Sequence, residues 1–421
     1  MNRLELLRAL RRHADGPAEE DDYPDWPSTI RLASEIAERE ELVLILDEAQ
    51  HIFESSDKLT RRIFEAWRRE AGENLTLVLS CTGTTLDRSV GLDSEELGDA
   101  IDWSAKLETF DYLDAGKLVA ERPPGQKAYL YGIFGGRPGM LSTIRSDESL
   151  GEAAVEHVLS PDGDVFAELS SVLLRRPGIR NPGPYRAVLS AVAGGARETM
   201  QVARSAGLAD RPTVARRALE TLEELDLIDR RRNFGAGKRS AWKNRISDPA
   251  VRFWFRFAHR YRTELQVGDP QEVWSDHVMP DLDDYMQVVY ERIAEQAFQR
   301  LHSRWGLHAP HRWTRWSGLD RNRKPIEIDI VAELEDGQLL TGQVRWTPDP
   351  LDHEVHFHLQ RDLQALAGLG EDWAEAALDP ERSHGHLYVS AGGFTDYFRD
   401  KARSSDRLTL VSLDELYSEG D

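Results

Sequence analysis

Cysteine is almost absent from this 421-residue chain, Cys81 being the only one. That excludes an intrachain disulfide framework and any zinc centre built from cysteines. Long hydrophobic runs are absent too. The longest apolar stretches are strand-sized, too short to cross a bilayer as a helix, so no membrane partner is expected. Leu4–Leu10 begins an amphipathic helix and lacks the apolar core and cleavage site of a signal peptide, which points to a cytoplasmic protein. Glycine is scarce where a phosphate loop would need it. Only Gly16 precedes Asp47, and the later Gly116-Lys117 and Gly237-Lys238 pairs lack an upstream glycine and are followed by Leu118 and Arg239. No G-x-x-x-x-G-K-[ST] loop exists, so the backbone amides and lysine that cradle phosphates are missing.

The length allows two to four domains. The formal net charge of −21 argues against a protein that coats nucleic acid uniformly. The charge is unevenly spread, however. From Arg175 to Arg262 there are 20 Arg/Lys against 8 Asp/Glu, so about +12 lies in the middle and about −33 in the flanks.

Leu42–Leu46 is a run of five apolar residues that passes abruptly into Asp47-Glu48, as a buried strand of a parallel sheet does when it delivers acids to the sheet edge. In phosphate-binding α/β folds Asp47 would hold Mg²⁺ and Glu48 would orient an attacking water, the Walker B pattern. The bland alternative is a core strand running into an acidic helix start, about as common for such a motif alone. Ser28 is the expected cap of the preceding helix. A helix and a second apolar strand, Leu75–Ser80, follow at parallel-crossover spacing and end in Ser80-Cys81-Thr82.

Tyr112 to about Leu174 is helical in pattern, interrupted at Gly135-Gly136-Arg137-Pro138-Gly139. After a Pro/Gly/Arg linker come three short helices and a basic hairpin-like segment, the pattern of a winged helix. Arg216 and Arg217 on the third helix, with Arg230, Arg231, Arg232, Lys238 and Arg239 in the wing, are its candidate contacts to double-stranded DNA. A module that only bridges domains is the competing reading. Ser247–Phe257 starts a very apolar helix expected to pack between domains.

The C-terminal part carries Glu327-Ile328-Asp329 on one strand and Gln343-Val344-Arg345 on the next. Period-two alternation puts 343 and 345 on one face, and 327 and 329 on one face, so Glu327 and Asp329 are candidate metal-binding carboxylates. The spacing is similar to the restriction-endonuclease core, in which an acid and then Glu-x-Lys gather Mg²⁺ and water. Here Gln343 replaces the second acid and Arg345 replaces the lysine. Glutamine removes a charge from a site for a hard dication, and arginine stays protonated and cannot act as a base. The expectation is phosphate or DNA binding without cleavage. His353-Glu354-Val355-His356-Phe357-His358 fails the metalloprotease spacing, because position 357 is Phe.

Taken in order, Leu42–Gln50, Leu75–Thr84, the Gly135–Pro138 turn, the winged-helix pattern, Arg245–Trp254 and Glu327–Trp346 resemble the archaeal-type ATPases of the signal-transduction (STAND) branch of AAA proteins, which carry a C-terminal nuclease-like domain. The resemblance implies ATP and Mg²⁺ as cofactors, DNA association and a switch-like role. It makes Asp47 and Glu48 the catalytic acids, Ser80 and Thr82 the sensor of the γ-phosphate, Arg137 a phosphate contact and Glu291 the accessory acid of a degenerate nuclease site with Gln343 and Arg345.

The fold expected is multidomain α/β: a partial P-loop-NTPase-like parallel sheet over 1–110, a helical lid over 111–174, a winged helix over 175–250 and a restriction-endonuclease-like α/β domain over 251–421. Because the phosphate loop is missing, the chain is expected to be truncated relative to its family, a piece of a split gene or a degenerate relative. A regulatory, DNA-associated role is the first expectation. The alternatives are an ATP-hydrolysing switch whose P-loop comes from an upstream segment or partner chain, and a protein-interaction scaffold without enzymatic activity.

Overall fold

The computed structural model describes residues 3–13, 25–49, 57–81, 101–173, 179, 181–237 and 240–418. It is mixed α/β and divides into two compact units, Met1–Leu107 with Arg176–Gly178, and Glu108–Arg175 with Ile179–Asp421.

In the first unit, helices α1 (Arg3–His13), α2 (Trp26–Ala37) and α3 (Asp57–Glu70) accompany the parallel strands β1 (Leu42–Leu46) and β2 (Leu75–Leu79). The cap of α2 is Asp25 and not Ser28. The Asp25 carboxylate accepts the Ser28 amide at 3.0 Å, and Ser28 Oγ accepts the Asp25 amide at 3.2 Å, so Ser28 closes a capping box from its third position. Leu44 and Leu46 pack with Leu7, Ile30, Ala33 and Ile63. Val43 and Ile45 on the other face are 56% and 60% exposed. The apolar run is therefore half-buried, in contrast to the buried strand that its composition suggests.

The second unit opens with short helices, among them α4 (Pro124–Phe134), and continues with α5 (Gly183–Ala193), α6 (Thr199–Ser205) and α7 (Pro212–Glu224). An antiparallel hairpin follows, β3 (Ile228–Arg231) with β4 (Lys243–Ile246), and Lys243 also bridges to Glu198. Phe253, Trp254 and Phe257 lie in the main core, as the apolar helix start at Ser247–Phe257 predicts. Beyond them, α8 (Leu282–Leu301) leads into a five-stranded sheet in the order β5 (Pro310–Leu319), β6 (Pro325–Leu334), β7 (Leu339–Arg345), β8 (Ser383–Ser390), β9 (Leu408–Ser412). The first three strands are antiparallel neighbours; β7, β8 and β9 run parallel. Helices α9 (Glu354–Ala367), α10 (Asp372–Leu378) and α11 (Asp396–Arg403) complete the unit.

Each face of the sheet has its own core. Ile330, Ala332, Leu340 and Val344 join the cluster that holds Ile293, Ala297 and Phe298 of α8. Ile326, Ile328, Val331 and Leu339 join Leu359 and Leu363 of α9 and Trp373 of α10. The parity of β6 thus switches between Ile328 and Ile330. The register explains it: Thr314 opposes Val331, but Trp316 opposes Ile328, so β6 carries one extra residue. This is a β-bulge, a device that re-aims side chains, and it falls at Asp329.

Candidate functional site

The bulge is also where β6 parts from β7. Their ladder runs from Glu333↔Leu339 to Ile330↔Gly342 and stops. Side chains bridge the gap that opens beyond it. Asp329 Oδ2 accepts the Val344 amide at 3.2 Å, and Gln343 Nε2 donates to the Glu327 carbonyl at 3.0 Å. On its other side β7 stays in register with β8, from Gly342↔Leu387 to Arg345↔Ser390. Gly342 permits this, because a Cβ there would lie 1.9 Å from the Leu387 carbonyl oxygen.

Arginines meet the carboxylates at this gap. Arg345 Nη1 donates to Asp329 Oδ2 at 2.6 Å. Arg315, opposite the bulge on β5, donates through Nη1 to Glu291 Oε2 at 2.9 Å and through Nη2 to Glu327 Oε2 at 3.0 Å. The Asp329 side chain is 5% exposed. Burial and the neighbouring Glu291 raise its pKa above the ordinary carboxylate range, while Arg345 and Arg315 pull it down. Gln343 is 4% exposed and its Oε1 has no hydrogen-bond partner.

The structure therefore brings Glu291, Asp329, Gln343 and Arg345 together, but Glu327 lends no carboxylate to Asp329. Glu327 is 59% exposed and shares a cleft of about 390 Å³ with Gln343, Arg345, His358 and Arg361. Asp329 and Glu291 line a separate cavity. The extra residue in β6 is the cause. The strand face that period-two counting assigns to 327 and 329 is broken at the bulge, which a sequence count does not reveal.

These residues do not fit a divalent metal. The Arg345 guanidinium is on the carboxylate oxygen of Asp329 that a dication would take, Arg315 holds Glu291, and Gln343 supplies only a neutral oxygen. Among the described residues, the clusters with metal-ligand spacing lie elsewhere, at His308/Asp336/His384 and at Glu148/Glu156/His157. Sequence reasoning missed Arg315, the cation that neutralises two of the acids; its only signal was its place on the strand next to β6. His353 and His356 are buried against aromatic rings, and His356 Nδ1 lies 2.9 Å from Tyr388 Oη, so neither completes a metal set.

At the other candidate centre, Asp47 and Ser80 meet at the ends of β1 and β2, with Ser80 Oγ donating to Asp47 Oδ1. The Glu48 amide donates to the same oxygen at 3.1 Å and to Ser80 Oγ at 3.2 Å. Glu48 is held at φ 51°, the left-handed region that a non-glycine residue enters only under local constraint. Among the described residues, Asp47 and Glu48 are the carboxylates at this edge and no glycine-rich loop faces them, which does not make a complete fit for Mg²⁺ with ATP. Thr82 lies outside the described residues.

Arg137 is half-buried between two acids. It donates to Asp248 at 2.9 Å and to Glu168 at 3.0 Å, tying the glycine-rich turn to the start of the aromatic helix. Gly136 makes that turn possible, since its carbonyl accepts the Phe110 amide at 2.8 Å and a Cβ would collide with the Phe110 carbonyl. Arg216 and Arg217 are exposed on α7, Arg216 within 3.2 Å of Glu220. The hairpin arginines turn inward. Arg230 has a side chain 6% exposed and pairs with Glu223; Arg231 pairs with Asp229 at 2.9 Å and with Glu295 of α8. Arg232 lies 4.0 Å over the Trp242 ring. Lys238 and Arg239 fall outside the described residues.

Residues 254–355 match the profile of the family DUF234, described as archaea bacterial proteins of unknown function. The likeness covers part of the chain. Within it lie Glu291, Arg315, Glu327, Asp329, Gln343 and Arg345, the whole bulge constellation. No curated protein and no solved structure matches the chain. No helix among the described residues is long and apolar enough to cross a membrane.

Proposed function

We propose that the chain is a regulatory, DNA-associated protein of ATPase ancestry whose nuclease-like site holds phosphate without cutting it. The observation that carries the reading is the pair of guanidinium groups at the bulge. Arg345 on Asp329 and Arg315 between Glu291 and Glu327 supply the positive charge that a metal ion supplies in a cleaving site. Neither guanidinium gives up its proton at any working pH, so neither generates the attacking hydroxide. Duplex contact is assigned to the winged-helix reading of α5–α7 and β3–β4, with Arg216 and Arg217 facing solvent on α7.

Fluorescence anisotropy of the full chain with a labelled duplex tests the binding. With about three phosphate contacts, affinity falls roughly 40-fold between 50 and 200 mM salt, and Arg216→Ala with Arg217→Ala flattens that slope. No binding at 50 mM salt would favour a protein scaffold. Plasmid incubated with the protein and Mg²⁺ stays uncut; cleavage that vanishes in Asp329→Ala overturns the reading.

The second reading, an ATP-hydrolysing switch completed by an upstream segment or a partner chain, draws on the Asp47–Ser80 pair at adjacent strand ends. Under either reading the polypeptide alone shows no saturable ATP binding in a micromolar titration.

A further inference from the structure

The β3–β4 hairpin covers a cavity of about 160 Å³ against α8, β5 and the loop after α5. Seven cationic side chains line it, against four carboxylates. All four carboxylates are already engaged: Asp229 and Glu295 by Arg231 and Arg245, Glu291 by Arg315, and Asp329 by Arg345. Lys243 is paired with Glu198 at 2.6 Å. Arg197, Arg232 and Arg252 are left over. Arg232 rests on the Trp242 ring and Arg252 lies 5.4 Å from the Tyr285 ring, but no carboxylate pairs with any of the three among the described residues.

Half-buried cations without an acid are costly, and Arg197 and Arg252 repel each other. Burial and the nearby Arg315 push the Arg197 guanidinium down. Burial pushes Arg252 down to about 10, with Arg197 and Arg256 adding to the effect. The polar atoms around the cavity are short of partners as well. Nε of Arg252, Nε of Arg315 and Oδ1 of Asn244, a residue 3% exposed, are buried without a hydrogen bond. Buried polar groups in native proteins are satisfied, so such a concentration at one cavity marks a missing partner. The partner must carry two or three negative charges and many acceptor oxygens, and a hydroxyl for Asn244 Oδ1.

We infer that this cavity binds a small phosphate dianion, either inorganic phosphate or the 5′-phosphate of a mononucleotide, on Arg197, Arg232 and Arg252. A cavity of about 160 Å³ holds a phosphate group and not a duplex. The cavity shares Arg315, Glu291 and Asp329 with the bulge, but the site does not rest on duplex binding, because Arg216 and Arg217 take no part in it.

The test is thermal unfolding and calorimetric titration of the full chain with sodium phosphate and, separately, with AMP, against sodium chloride at matched ionic strength. Saturable stabilisation by phosphate alone, or by AMP more tightly than phosphate, identifies which source of the dianion is taken. A third arm compares a 5′-phosphorylated octanucleotide with its 5′-hydroxyl counterpart, and a preference for the phosphorylated strand identifies a nucleic-acid end as the source. Arg197→Gln, and independently Arg252→Met, weaken binding tenfold or more. Both also raise the melting temperature of the protein without phosphate, since each removes a half-buried charge that no acid answers. A residue that merely supports the fold would lower it. Equal stabilisation by phosphate, AMP and chloride overturns the proposal, as does unchanged phosphate affinity in both variants. Duplex binding by the wild type is measured alongside, so its loss or survival is scored separately.

Discussion

Arg345→Met isolates the contribution of the Arg345 guanidinium at the bulge. The substitution keeps most of the aliphatic stem and deletes the charge that meets Asp329 at 2.6 Å. Removing one partner of a buried ion pair costs about 3–5 kcal/mol, because the other charge stays buried. Arg345 is 39% exposed, so solvent already screens part of the pair, and about 2 kcal/mol is the appropriate figure. In melting temperature that is a fall of about 5 °C. The pH dependence is the sharper signature. The pKa of Asp329 is already raised in the folded chain, so its ionisation opposes folding as the pH rises through that value. Without Arg345 the pKa climbs further. The deficit relative to wild type is therefore small in acid, where Asp329 is protonated in both, and full at neutral pH. Asp329→Asn removes the charge itself, so Arg345→Met added to it costs little more. Urea unfolding followed by tryptophan fluorescence at several pH values between 4 and 8 measures both effects. A deficit that is the same at all pH values, or additive losses in the double variant, would refute the ion-pair account of the site.

Arg137→Ala leaves Asp248, whose side chain is 9% exposed, without its guanidinium and releases Glu168; a loss of about 2–3 kcal/mol in urea unfolding is expected. Gly342→Ala places a methyl 1.9 Å from the Leu387 carbonyl, so β7 and β8 must separate, and soluble expression is expected to fall sharply. Burial lowers His356 to about 4 and His386 to about 3, with His353 and His356 respectively adding to the shift. Their folded pKa values lie below the unfolded value near 6.5, so the stability they confer is present above that pH and is lost as the pH falls toward 4 and 3. His386→Gln, which can keep a bond to Thr341, is expected to flatten the acid limb of a pH–stability curve.

Local pattern carried much of this architecture. The two strands at Leu42–Leu46 and Leu75–Leu79, the strands that carry Glu327–Asp329 and Gln343–Arg345, and the three helices before the hairpin are legible from apolar periodicity and Gly/Pro punctuation. What failed were the features set by long-range geometry. Whether Val43 and Ile45 are covered depends on what packs over the sheet, and their composition is the same either way. The bulge at Asp329 depends on the partner strand, so counting along β6 alone put Glu327 and Asp329 on one face when they open onto different cavities. Arg137 looked like a ligand contact because the acids that hold it, Glu168 and Asp248, are distant in sequence.

The uneven charge along the chain belongs to the same class of problem. A basic segment in an acidic chain suggests an external polyanion, yet much of that positive charge is answered from within. Glu223 takes Arg230, Glu198 takes Lys243, and Glu295 of α8 takes Arg231 and Arg245. Glu295 of α8 comes from the acidic C-terminal part of the sequence, so part of the separation of charge along the chain is closed in space. Arg204, Arg211, Arg216 and Arg217 remain exposed on and around α6 and α7. Inside, Arg197, Arg232 and Arg252 remain around the covered cavity. The segment's charge thus falls into two sets of different reach. Solvent-facing arginines act over a Debye length and are screened by salt, whereas half-buried ones are screened less. The second set is invisible in composition, because only the fold decides which arginines have already found their acids.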